Sequence, residues 1–505
     1  MKKFMIITLA GILLTFILAS CNSDSGNNNA APPENNSNDN NNSIEAAESL
    51  PESEFQPLEN VNYGGYKFRI LGPGPNPEVW SAVIGTINEI APEEETGDPI
   101  NDAVYKRNKE VEALYNAEII PVFPGGDRSN VERAAIQSIL AGDDAYDAAL
   151  MMGSSMPTIL NSKNYTYDLF EIPNLDLSKS WWNQNCISEL SIANKLHLVT
   201  GDVSAFGAIT TSVLFYNKEL AKTYALENAY DLVRQGKWTW DKVIEMSRAV
   251  SRDLNGDGIM DENDLYGICG EHAMMRFYVY GSGERVTKKD ENDIPYLTIN
   301  TPNTIKAIDF ALESFLNKDI GIFVNDYINK YPVNYWDVIM DKFRSDELLF
   351  IMLGMHNTFD FRGMESDFGI LPYPKLSEQQ DRYYAPTSRW HETYIYIPAT
   401  CPDIGRTGAA LEALGYYSQK YVRPAVIDVT VTNKLIRDDD SEEMLNLMFD
   451  TRVYDIGELY HWGNFPDNLL YPNADKRTNV FASQYEKFED RIKSAIEKAI
   501  EEMLK

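Results

Sequence analysis

Hydrophobic and polar positions along the first part of the body predict strands and helices by turns. Tyr66-Lys67-Phe68-Arg69-Ile70-Leu71 alternates with the two-residue period of a strand and runs into a Gly/Pro turn through Gly74. Over residues 100–116, Val104, Val111, Leu114 and Tyr115 share one helical face. A second strand is predicted from Ala117 to Phe123, stopped by Pro124-Gly125-Gly126. A helix over 129–141 and a third strand from Tyr146 to Met151 follow, and then the short loop Gly153-Ser154-Ser155. A β-α-β-α-β order implies a parallel sheet with right-handed crossovers. Ligands of such sheets gather at the carboxyl ends of the strands, and Gly153-Ser154-Ser155 stands at one.

A second α/β region starts with the strand Ser212-Val213-Leu214-Phe215-Tyr216 and continues into Asn217-Lys218-Glu219-Leu220. Further strands are predicted at Leu348 to Met352 and Tyr394 to Ile397. Residues 406–419, 440–449 and 484–504 show the helical period, and Asp440 and Glu443 have the spacing of a capping box. No internal repeat is present. The pattern predicts two α/β lobes on one chain.

The amino terminus adds a compartment. Lys2 and Lys3 precede an apolar stretch from Phe4 to Leu18, shorter than the ~18–20 residues that span a bilayer and suited to a signal peptide. Leu18-Ala19-Ser20-Cys21 resembles a bacterial lipobox, in which Cys21 is lipidated and becomes the mature amino terminus. Residues 22–42 contain ten Asn, too little apolar area to offset ordering entropy, so a flexible tether is expected. The expected location is the extracellular face of a bacterial cell membrane, held by lipid alone.

Charge excludes some partners. The 505 residues carry 45 Lys+Arg against 76 Asp+Glu, a net charge of −31, which opposes nucleic-acid and anionic-membrane surfaces. Cys186, Cys269 and Cys401 are too few and scattered for a disulfide framework.

Two signals carry chemistry. Counting from Asp253, oxygen-bearing side chains fall at loop positions 1, 3, 5, 9 and 12 (Asp253, Asn255, Asp257, Asp261, Asp264), with Gly258 at position 6 and the carbonyl of Ile259 at position 7. This is the pattern of an EF-hand calcium loop with Asp264 in place of the usual terminal Glu. A single copy without catalytic neighbours predicts a structural Ca²⁺ clip. The second signal is aromatic: Trp181-Trp182, Trp238 with Trp240, Trp390-His391 and Tyr460-His461-Trp462. Sugars offer C–H faces to rings and hydroxyls to planar polar groups. Trp240 is assigned to the core, since Thr239 is placed to cap a helix on which Trp240, Val243 and Ile244 share the buried face. Trp390 and Trp462, flanked by polar residues, are the candidates for a sugar platform. No G-x-S-x-G, H-E-x-x-H, P-loop or G-x-G-x-x-G motif occurs.

Lipobox, Asn-rich linker, Val213-Leu214-Phe215-Tyr216-Asn217-Lys218, Gly236-Lys237-Trp238-Thr239-Trp240-Asp241, Phe350 to Gly354 and Phe368-Gly369-Ile370-Leu371-Pro372-Tyr373-Pro374 follow one another in an order that resembles the extracellular solute-binding lipoproteins of ABC importers, the maltose-binding-protein-like group. The resemblance covers roughly residues 60–470. It implies an α/β, two-lobe, hinge-linked periplasmic-binding-protein-like fold of type II, with lobes of 61–211 plus 394–450 and 212–393 plus 451–505. The crossings would lie near Thr210–Val213, His391–Tyr396 and Phe449–Tyr454. A carbohydrate, expected to be an oligosaccharide, would be held between the lobes by Gly153, Ser154, Ser155, Thr210, His356, Asn357, Trp390, His391, Tyr460 and Trp462. Met355-His356 stands where the group has a Pro-Trp-like element, so Trp390 and Trp462 would supply the stacking. The partners implied are the transmembrane subunits of an ABC permease, with the binding protein a monomer and not an enzyme. Two readings stay open beside it: a surface-anchored glycoside hydrolase with Glu392 as acid or base, and an adhesion protein clipped by calcium.

Overall fold

The computed structural model describes residues 55–75, 87–125, 128–331, 336–361, 363–431 and 439–504. The predicted signal segment, Cys21 and the Asn-rich stretch lie outside the described residues. The described residues all fall within one unit, residues 52–505.

Strands come in chain order as β1 (Tyr66–Leu71), β2 (Ala117–Val122), β3 (Ala148–Met152), β4 (Ser212–Asn217), β5 (Tyr266–Gly270), the hairpin of β6 (Thr287–Lys289) and β7 (Pro295–Leu297), β8 (Gly321–Phe323), β9 (Leu348–Gly354), β10 (Phe368–Leu371), β11 (Ala385–Pro386), β12 (Thr393–Tyr396) and β13 (Arg452–Val453). Two sheets organise the body. The first has the order β12-β3-β1-β2 and the second β10-β4-β9-β5-β8, while β11 pairs with β13. β1 lies parallel to both β2 and β3, as the β-α-β-α-β pattern implies. β12, from far along the chain, joins this sheet antiparallel to β3. In the second sheet β4 runs antiparallel to both β9 and β10, and β5 runs parallel to β8 and β9. Every residue of β3, β4 and β5 is buried, which explains their nearly continuous apolar runs.

The local signals act as their chemistry requires. Asp98 caps the helix Pro99–Tyr115 by accepting from Ile100 N and Asn101 N, and Asn116 ends it in the left-handed region at φ 48°. Thr239 caps Trp240–Val250 by accepting from Lys242 N. The third strand starts two residues later than its apolar pattern suggests. Asp147, fully buried, turns its carboxylate to the backbone N–H and side chain of Arg69 and to the Tyr66 hydroxyl. The late helices span Ile404–Tyr417, Asp439–Asp450 and Phe481–Leu504. Asp440 and Glu443 both engage Arg234, a long-range contact that the capping-box spacing does not reveal. Cys186, Cys269 and Cys401 are free and buried. Among the described residues no helix is long and apolar enough to cross a membrane.

Candidate functional site

Strand register brings distant segments to one place. Ser212, the first residue of β4, pairs with Gly354 at the end of β9. Thr393, the first residue of β12, pairs with Met152 at the end of β3. The chain therefore enters β4 and β12 beside the carboxyl ends of β9 and β3, one in each sheet. The segment Ser388–Glu392 meets the end of β3 and the segments that follow β9 and β5. Gly153 N donates to Glu392 O at 3.1 Å and Ser154 N to Arg389 O at 2.7 Å, which ties it to β3. The His391 ring lies 5.8 Å from that of His356, beyond β9. Ser388 Oγ lies 3.2 Å from Arg276 Nη2, on the helix Met275–Gly281 beyond β5.

The residues singled out in the sequence distribute around this junction. Gly153–Ser155 forms a tight turn leading into Pro157–Leu160. A Cβ on Gly153 would sit 2.6 Å from Leu459 Cδ1 and 3.0 Å from Tyr394 Cε2, so only glycine lets the chains approach. Thr210 is buried at the end of Ala205–Ile209 and donates its hydroxyl to Phe206 O at 2.6 Å. His356 is buried, and desolvation lowers its pKa to about 4, so the ring is neutral at pH 7. Asn357 Nδ2 donates to Asp360 Oδ2. Tyr460 and Trp462 are both buried, their rings 5.2 Å apart, and Asn161 holds them: it donates to Tyr460 O and accepts from Trp462 Nε1. Trp390 differs from the other aromatic candidates. It is 42% exposed, and the Arg389 guanidinium lies 5.1 Å from its ring. Trp181 and Trp182 are core residues: Trp181 packs against Phe55 and Tyr416, and Trp182 Nε1 donates to Glu412.

Charge at the junction comes from residues with no local motif. Arg276 pairs with Glu458 at 3.2 Å, both buried. Arg389 is buried and its Nη2 meets His461 Nε2 at 3.4 Å. Burial, then the neighbouring Arg389 cation, holds His461 below the usual histidine range. Arg276, Ser388, Arg389, Glu458 and Asn161 were not singled out from the sequence. An isolated arginine or serine looks like surface until the fold buries it.

Glu392 lies in the interior beside this junction. Its Oε1 accepts from Thr200 Oγ1 at 3.2 Å and lies 3.6 Å from Arg452 Nη1, next to β13. Burial raises its pKa despite Arg452. Close by, Glu89 accepts from Phe206 N and Thr393 Oγ1, and desolvation lifts its pKa to about 8. Glu392 thus joins the entries to β12 and β13.

The acidic loop stands apart. Asp253 accepts from Gly256 N at 2.6 Å and Gly258 N at 2.7 Å, and these bonds hold its carboxyl below the usual range. Asp264, fully buried, accepts from Leu254 N and Asp261 N. Gly256 and Gly258 adopt φ of 74° and 79°, which favours glycine in the turn. Among the described residues no three His, Cys, Asp or Glu side chains converge as a metal-holding group. Both oxygens of Asp253 and of Asp264 accept an N–H here, and each keeps a further lone pair of the kind hard cations take.

No family model matches the chain, and no curated protein matches it by sequence. Solved structures do match. UgpB from Mycobacterium tuberculosis in complex with glycerophosphocholine is 15% identical, with 82% of this chain and 100% of that chain covered, at a TM-score of 0.55. The maltose-binding periplasmic protein MalE from Listeria monocytogenes, in complex with maltose, is 13% identical over 86% of this chain and 98% of that chain, with a TM-score of 0.53. UspC from M. tuberculosis is 12% identical over 85% and 100%, at 0.52. The chain has the mixed α/β fold of MalE-like periplasmic binding proteins.

Proposed function

We propose that this chain is the extracellular substrate-binding protein of an ABC importer. It captures a carbohydrate between two lobes and delivers it to the transmembrane permease. The observation that carries this reading is the convergence of the carboxyl end of β3 and of the segments that follow β5 and β9 on the single segment Ser388–Glu392. Both sheets thereby contribute to one place, beside the entries to β4 and β12. The likeness to a fold that holds maltose in MalE supports a sugar as ligand.

In this reading the lobes are 61–211 with 394–450 and 212–393 with 451–505, hinged where β4, β12 and β13 begin. Ligand meets one lobe first, and closure follows because the closed form binds it better. Glycine at 153 admits close approach, Trp390 offers an exposed ring, and His391 and neutral His356 offer nitrogen donors and acceptors. The chain performs no covalent chemistry. Cys21 carries the lipid that holds a monomer at the outer face of the membrane. Asp253, Asn255, Asp257, the Ile259 carbonyl, Asp261 and Asp264 would hold a structural Ca²⁺, which clips the turn between Arg252 and Leu265.

A thermal-shift screen of mono- and oligosaccharides tests the reading, run with calcium and with chelator. A true ligand at 100 times its Kd adds ~2.7 kcal/mol to stability. Turnover of any sugar, or silence across the whole panel, would sink it. Asp253→Ala with Asp257→Ala should remove the calcium-dependent part of the shift; a shift that persists refutes the clip.

A further inference from the structure

We propose that the ligand captured here is an acidic saccharide, and that Arg389 receives its carboxylate. This rests on the carbohydrate-capture reading and narrows its substrate class.

Four arginines among the described residues are buried: Arg107, Arg276, Arg285 and Arg389. Three of them have their acceptors within the chain. Arg107 donates to the carbonyls of Glu89 and Ile90 and to Asn108. Arg276 pairs with Glu458, and Arg285 meets Glu189 at 3.5 Å and donates to the carbonyls of Tyr280 and Glu284. Arg389 is different. It is 8% exposed, and no carboxylate among the described residues lies within salt-bridge distance of it. Its Nε is buried without an acceptor, as is that of Arg276, but Arg276 has the Glu458 carboxylate and Arg389 has none among the described residues. Among the described residues its one polar side-chain partner is the imidazole of His461, itself 3.7 Å from Asp467. A guanidinium stays charged when buried, so its N–H groups call for acceptors: carbonyls serve Arg107, and an anion from outside would serve Arg389.

The surroundings say what kind of anion. The Ser154 N–H fixes the Arg389 carbonyl, and the Gly153 N–H fixes that of Glu392, so the backbone behind the guanidinium is pinned to the end of β3. The Trp390 ring is 5.1 Å from that guanidinium and substantially exposed. A pyranose lying on the indole places a carboxylate borne directly on its ring beside the guanidinium fork, without a spacer. A planar carboxylate also matches the two-pronged donor geometry of arginine. A uronate-containing oligosaccharide meets both requirements at once.

Calorimetry on the purified full chain in calcium tests this. The probes are short oligogalacturonates and oligomannuronates, maltose- and cellobiose-series oligosaccharides of the same lengths, galactose 6-phosphate, citrate and inorganic sulfate. At least one uronate series should bind about tenfold or more tightly than any neutral sugar, as a charge-assisted pair allows. Arg389→Met, which keeps the apolar stem, should weaken uronate binding by about 10–100-fold. Neutral oligosaccharides binding as well as uronates overturns the acidic ligand and leaves sugar capture intact. Galactose 6-phosphate binding more tightly than every uronate overturns the carboxylate assignment. Citrate or sulfate bound through Arg389, with no saccharide bound, overturns both readings. If Arg389→Met fails to fold, the preference of the unaltered chain between acidic and neutral series decides.

Discussion

Three residues apart in the chain, Glu392 and Arg389 are both buried, and the protein treats them differently. Glu392 accepts from Thr200 and faces Arg452, and the adjacent Glu89 accepts from Phe206 N and Thr393. Where such contacts fall short, a carboxyl group can take a proton, and Glu89 with a pKa of about 8 is largely protonated at pH 7. Arginine has no such exit. Arg389 is buried as a cation, with His461 and the Trp390 face as its side-chain partners among the described residues. Buried acids at the strand entries are therefore resolved inside the fold and belong to its architecture. The buried base held to the end of β3 has no carboxylate partner among the described residues.

Stability measurements on substituted chains break or sharpen this contrast, starting with the largest effect. Arg452→Ala leaves Glu392 buried without its cation and should lower the free energy of unfolding by about 3–5 kcal/mol in urea melts. Arg389→Met removes an uncompensated charge and should leave stability within about 1 kcal/mol of the parent, or raise it. Equal losses in the two variants would erase the distinction. A pH series comes next. The folded pKa of Glu89, about 8, lies above its ordinary 4.5, so the native state binds the extra proton between those values. Its contribution is fully present below pH 4.5 and is lost as pH rises towards 8 and beyond. Glu89→Gln should flatten that decline; an unchanged slope assigns it to other groups. Trp390→Ala is the smallest in stability, within about 0.5 kcal/mol for so exposed a side chain. The same change should weaken saccharide binding about tenfold in calorimetry, and unaltered binding would remove the ring from the site.

Much of the architecture was legible because local chemistry specifies it. The alternation at Tyr66–Leu71, the apolar run of Ser212–Tyr216 and the Thr239 cap each act over a few residues, and the structure contains each where the pattern lies. The loop at Gly153–Ser155 was also legible, because a βαβ order places its strand ends at one edge. The aromatic residues were not sorted in this way. Trp181, Trp182, Trp462 and Trp390 look alike in sequence, yet three are buried and one is exposed. A tryptophan between polar neighbours can be enclosed by segments hundreds of residues away. Trp462 is enclosed in this way and bonded to Asn161.

The sequence alone determined the alternation of strands and helices, the glycine turns and helix caps, the order of donors in the acidic loop, and a strongly acidic surface. All of these depend on neighbours within a turn or two. Only the tertiary structure decided that β12 inserts beside β3, that Ser388–Glu392 meets the end of β3 and the segments that follow β5 and β9, and that Arg389 is buried with no carboxylate beside it among the described residues. Burial and charge pairing are properties of long-range contacts, and no local pattern encodes them.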